Sequence, residues 1–203
     1  MLETRSRRDY FDAALAILSE RGPEALTIAA LCDRLGVSKG SFYHHFRGMP
    51  GFVENLLEHW EVEHNQRLID LSNSEADPVR RVDLLRAIAA GLPHGAEAAI
   101  RAWGRNNNVV AGALTRVDGR REQHITDSLV LLGVTPVRAR RLARAALAML
   151  VGTQQMQRPV DRAALSAMLA EFNQQVLGVG RPTELEELRK ADHPRSRSRR
   201  RSA

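Results

Sequence analysis

At 203 residues with 43% apolar side chains, the chain suits one large domain, or a small domain joined to a larger one, around a real core. Its single cysteine, Cys32, excludes an internal disulfide framework, and its place between Leu31 and Leu35 suits a small buried apolar residue. The formal charge of +6 excludes nothing by itself. It resides in residues 189–203, where seven Lys or Arg face one acid, Asp192, so residues 1–188 carry 23 charges of each sign. The opening "MLETRSRRDYFD" does not fit a secretion signal, and no apolar run approaches a membrane span, so the expected compartment is the cytoplasm, with no membrane partner.

The periodicity predicts an all-α chain, with no sustained strand-like alternation. A first helix is expected over about 6–21, with Phe11, Ala14, Leu15 and Leu18 on one face and Gly22-Pro23 ending it. Thr27 reads as the N-cap of a short helix to Leu35, with Ile28, Leu31 and Leu35 inward. Gly36 supplies a turn residue, and Ser38 caps a third helix over 39–46, where Phe42 and Phe46 share a buried face. "RGMPG" breaks the chain, and a long helix over about 50–71 follows. Further helices are expected at 78–90 after Asp77-Pro78, at 96–105, at about 109–132, at 136–157 with Thr135 as cap, and from "RPVD" to about 178. Beyond Gly180 the chain is polar and basic and reads as a disordered tail, 181–203. This gives a compact unit over 1–48 and a larger helical unit over 49–180.

The two short helices joined by Gly36-Val37-Ser38 have the shape of a helix-turn-helix. Such a unit needs small residues where the helices cross, which Ala29-Ala30 supply, and an apolar plug in the turn, which Val37 supplies. It also needs donors on a narrow helix start that can enter a major groove about 12 Å wide. Ser38, Lys39, Gly40 and Ser41 meet that need. Glycine at position 40 weakens an ordinary helix by roughly 1 kcal/mol, and a close approach to a DNA backbone would explain its presence. The stretch "ALAILSERGPEALTIAALCDRLGVSKGSFYHHFRG", residues 14–48, resembles the TetR family of bacterial transcriptional repressors. The resemblance implies that Thr27 and Ser38 cap onto phosphates. It implies that Lys39, Gly40, Ser41 and Tyr43 lie along the groove-facing side, and that His44 contacts backbone or base. Where the family usually places a lysine and acids, this chain has Met49, Pro50 and Gly51, so Arg47 or free backbone N–H groups at the helix start would supply the phosphate contact.

The resemblance further implies a ligand-binding and dimerisation unit after residue 50, with the last two helices (136–157 and 160–178) pairing about a twofold axis, and a palindromic double-stranded operator. Leu142, Ala146, Met149 and Leu150, then Leu165, Met168, Leu169 and Phe172, form two apolar stripes that suit such a seam and equally an intramolecular core. Candidate pocket residues for an unidentified small-molecule effector are Trp60, His64, Arg101, Trp103 and His124, with His59 and Asn107 as further polar candidates. Glu58, Glu61 and His64 share a spacing that a metal could use, a solvated face or pocket lining being the simpler reading. His44-His45 does not read as a metal site, because adjacent helical residues face different ways. No catalytic residue, metal or cofactor is expected. Two alternatives stay open from residues alone: a helical enzyme or carrier for a small metabolite, and a non-specific nucleic-acid binder acting through the basic tail.

Overall fold

A computed structural model describes residues 5–178, apart from the side chains of His64 and residues 176–178. The expected tail, 181–203, lies outside the described residues. Every regular element among them is helical: α1 (Arg7–Arg21), a 3-10 turn (Pro23–Ala25), α2 (Ile28–Leu35), α3 (Lys39–His45), α4 (Gly48–Glu61), a π-helical turn (Val62–Gln66), α5 (Arg67–Asn73), α6 (Pro78–Gly91), α7 (His94–Trp103), α8 (Asn108–Leu131), α9 (Pro136–Met156) and α10 (Arg162–Gly178). No helix among them is long and apolar enough to cross a membrane.

Local chemistry sets most boundaries. Ser6 and Asp9 close a reciprocal capping box on α1, the Asp9 carboxylate accepting from the Ser6 N–H at 2.7 Å. Asp77, Asn107 and Asp161 each accept two backbone N–H bonds at the starts of α6, α8 and α10. Asn107 thus serves as the cap of α8. Thr135 occupies the N-cap position of α9 without a side-chain bond there, and Pro136 starts the helix in its place. The expected helix over 50–71 is one continuous rod that contains a π turn. Asn65 is 2% exposed in that turn and donates to the Trp60 carbonyl at 3.2 Å, satisfying an oxygen in the widened stretch.

The largest apolar core runs without a gap from the first three helices into α4, α7 and α8. Tyr10, Phe42, Phe46 and Phe52 form its aromatic centre, Phe46 meeting Phe52 edge-on at 4.8 Å. Helix α1 lies against α7, where a Cβ on Gly95 would stand 2.0 Å from the Ser19 hydroxyl; glycine permits that approach. The N-terminal helices are therefore seated on the body through α1 and carried by α4. Two smaller apolar clusters tie α6, α8, α9 and α10 together. Leu150, Leu165 and Leu169 belong to one of them, so those members of the α9 and α10 stripes are intramolecular core.

Candidate nucleic-acid interface and cavity

The geometry at α2–α3 starts from Gly36, whose φ of 65° is left-handed and ends α2 where a side chain would be strained. Val37 then folds back, its N–H bonding the Cys32 carbonyl at 3.0 Å and its side chain packing on the core. Thr27 and Ser38 cap their helices, accepting from the N–H groups of Ala30 at 3.1 Å and Ser41 at 3.3 Å. Ala30 packs against the core, but Ala29 is exposed, so only one of the two alanines serves the crossing. The Cys32 thiol is buried, its pKa raised by that burial and then by Asp33, which makes it a packing residue with a weak S–H contact to the Ser38 carbonyl.

Phe42 and Phe46 anchor α3 inward, and the opposite side is open. Thr27, Ser38, Lys39, Gly40, Tyr43, His44 and Arg47 are all exposed, Tyr43 by 60%. Ser41 differs from the sequence expectation: it turns partly inward, its hydroxyl accepting from the Tyr10 hydroxyl at 2.9 Å. A Cβ on Gly40 would meet nothing closer than the Ser38 hydroxyl at 3.5 Å, an ordinary contact. The fold itself thus does not require glycine there. Helix α4 begins at Gly48 with Arg47 as its N-cap residue, and no side chain caps it. Arg47 is exposed there and no side chain accepts from the first N–H groups of α4, an arrangement suited to phosphate.

The body holds a cavity of about 120 Å³ walled by α5, α6, α8, α9 and α10, with Leu85, Ile88, Leu147 and Phe172 among its apolar residues. Its polar lining consists of Asn65, Arg86, Arg121, His124 and Asn173. Of the candidate pocket residues, His124 is there. The side chain of His64 lies outside the described residues. Trp60 is wholly buried elsewhere and donates its indole N–H to Glu97 at 2.9 Å. Arg101 makes a two-pronged pair with Asp118 at 2.7 and 2.9 Å, which raises its pKa, and Trp103 packs on the large core. His59 stacks on Phe11, ring centres 4.8 Å apart. Arg101 and Trp103 belong to α7, which packs against α1, α8 and α9 and contributes no residue to the cavity lining.

His124 reports the cavity's environment. With the Ser72 hydroxyl proton directed to the Ile69 carbonyl at 2.9 Å, the ring Nε2–H donates to Ser72, 2.5 Å away. Its pKa is lowered, chiefly by burial and then by Arg81, against weaker opposition from Asp127 and Asp70. Sequence reasoning missed the polar lock between α4 and the body. Glu97, 1% exposed, takes both ends of the Arg121 guanidinium at 3.0 and 3.1 Å, and Arg121 also donates to Asn65 at 2.6 Å. Glu61, the last residue of α4, is buried and bound by Arg116 and Arg120 of α8, so it is neither a solvated face nor pocket lining. The signal for Glu97 was present as a lone acid within the apolar face of "AEAAIRAW".

Residues 11–56, spanning α1 to the middle of α4, match the family model described as bacterial regulatory proteins, tetR family. The repressor KstR2 of Mycobacterium tuberculosis is 33% identical over 81 residues, which cover 39% of this chain and 40% of that protein. The chain thus spans about two fifths of the length of that curated relative. A TetR-family transcriptional regulator of Streptomyces coelicolor superposes with a TM-score of 0.68 at 14% identity, covering 84% of this chain and 87% of its own. The regulator FadR of Bacillus subtilis, solved with stearoyl-CoA, superposes at 0.62 and 15% identity, covering 85% of this chain and 98% of its own. Over residues 11–56 the chain is thus similar in sequence to the tetR family of bacterial regulatory proteins, and over most of its length it shares the fold of these solved regulators.

Proposed function

We propose that this protein is a cytoplasmic transcriptional repressor that binds a palindromic operator as a homodimer and releases it when a small molecule fills the cavity. The observation that carries the reading is the outward side of α3, where Lys39, Gly40, Tyr43 and His44 stand exposed on a helix anchored from behind by Phe42 and Phe46. On this reading residues 1–48 act as the DNA-binding unit and 49–180 as the ligand and dimer unit. Thr27, Ser38 and Arg47 reach phosphates, and Lys39 and Tyr43 reach base edges or the groove wall. Ser41 supports α3 through Tyr10 and offers its remaining hydroxyl proton to the backbone of the operator.

The dimer reading rests on what α9 and α10 leave uncovered. Val137, Ala148, Met156, Ala164, Ala167 and Met168 are exposed, a run of small and flexible apolar side chains that allows close helix approach. Two copies joined there would set two α3 helices for half-sites about one helical turn, roughly 34 Å, apart. A genome-wide footprint of the purified protein tests the whole reading. A palindrome within the footprint is expected. In gel-shift titration, Lys39→Ala and Tyr43→Ala should each weaken operator binding by about 1–3 kcal/mol without lowering the melting temperature. Unchanged affinity in both variants would remove α3 from the interface.

A further inference from the structure

The cavity's charge balance narrows what can occupy it. None of its lining residues is acidic, and Arg121 is neutralised by the two-pronged Glu97 carboxylate. Arg86 is different. Its Nη1 donates to Ser166 at 2.6 Å, and its buried Nε has no hydrogen-bond partner. Its nearest carboxylate, Asp83, lies 3.7 Å from that nitrogen with 61% of its side chain in solvent, so water screens the pair. The cavity wall therefore carries one guanidinium whose Nε has no hydrogen-bond partner, and a guanidinium is the side chain best shaped to take a carboxylate. A cationic occupant has little to meet it, since among the described residues Phe172 is the one Phe, Tyr or Trp of the lining and none of the lining residues is a carboxylate. A polyanion would find one uncommitted charge.

Size sets the rest. A void of about 120 Å³ is comparable to the roughly 150 Å³ apolar cavity known to hold benzene, so the apolar part of the occupant is on the order of six carbons. We infer that the cavity binds a small apolar monocarboxylic acid, its hydrocarbon body among the aliphatic walls and its carboxylate on Arg86. The inference rests on the reading of this cavity as the effector site.

The test is thermal denaturation of the full chain at neutral pH with three probes of equal length: hexanoate, hexan-1-ol and hexylamine. Hexanoate should raise the melting temperature most, hexanol less, and hexylamine not at all. In Arg86→Met hexanoate binding should fall about tenfold or more, to the level of hexanol, while hexanol binds as before. Arg86→Gln repeats the measurement if the methionine variant does not fold. Equal shifts by the three probes, hexanoate binding that survives both substitutions, or no shift with any probe would each overturn the inference. Operator gel shifts separate it from the reading beneath it. Arg86-dependent hexanoate binding with unchanged operator affinity leaves the inference standing and removes the effector role. Release of operator by hexylamine alone does the reverse.

Discussion

Gly40 shows how one residue can be set by something other than its own fold. It sits in the first turn of α3, where a methyl group would meet only ordinary contacts. Gly40→Ala should therefore leave the melting temperature unchanged or raise it, by up to about 1 kcal/mol of helix propensity. The same methyl group would stand between α3 and a groove wall, and operator affinity should fall; a variant both stable and fully active would show that nothing approaches there. His124 supplies a second residue-level expectation, through protons. Burial holds its folded pKa below the unfolded value near 6.5, so on acidification the unfolded chain takes up the proton first. The stability associated with the neutral ring is thus complete above the unfolded value and lost as pH falls from there toward the folded pKa. His124→Gln should flatten stability against pH in that window, as read by chemical denaturation.

At the scale of elements, α4 is held by charges as well as by its apolar face. Trp60, Glu97, Arg121 and Asn65 form one buried network across α4, the π turn, α7 and α8. Glu97→Ala would leave Arg121 buried beside an apolar pocket without its counter-ion, and should cost about 3–5 kcal/mol in denaturant titration. A loss below about 1 kcal/mol would mean that water replaces the carboxylate. The contrast with the caps explains how far the chain could be read in advance. Thr27, Ser38 and Asp77 act within three residues of themselves, and Phe42 with Phe46 within one turn, so pattern alone reveals them. The partners of Glu97 lie 24 and 37 residues away and those of Glu61 55 and 59, and only the assembled bundle brings them together. Of the pocket candidates with described side chains, only His124 lines the cavity, for a related reason. An apolar stripe such as Leu165, Leu169 and Phe172 says that a helix is covered, but not whether its own chain or a second copy covers it.

At the scale of the whole molecule, charge is divided along the chain, with residues 1–188 formally neutral and the surplus confined to 189–203. Arginines in that segment would add sequence-independent contacts to phosphate while α3 keeps the sequence reading. Deleting 189–203 should lower affinity for random duplex at low salt more than operator affinity at physiological salt. Each phosphate that the shortened protein no longer neutralises should flatten the log–log salt slope by about 0.9. An unaltered slope on random duplex would show that the segment does not touch DNA.

The π turn at Val62–Gln66 also fixes an angle. One rod carries the head at one end and a wall of the cavity at the other, and the widened turn sets the rotational phase between them. Removing a single residue just beyond that turn, Arg67, would keep the turn but rotate Leu68, Ile69 and Ser72 about the axis by roughly 100° relative to the head. Such a protein should still shift operator DNA and no longer respond to an occupant of the cavity. The register of one turn, rather than any contact it makes, would then be what joins reading to response.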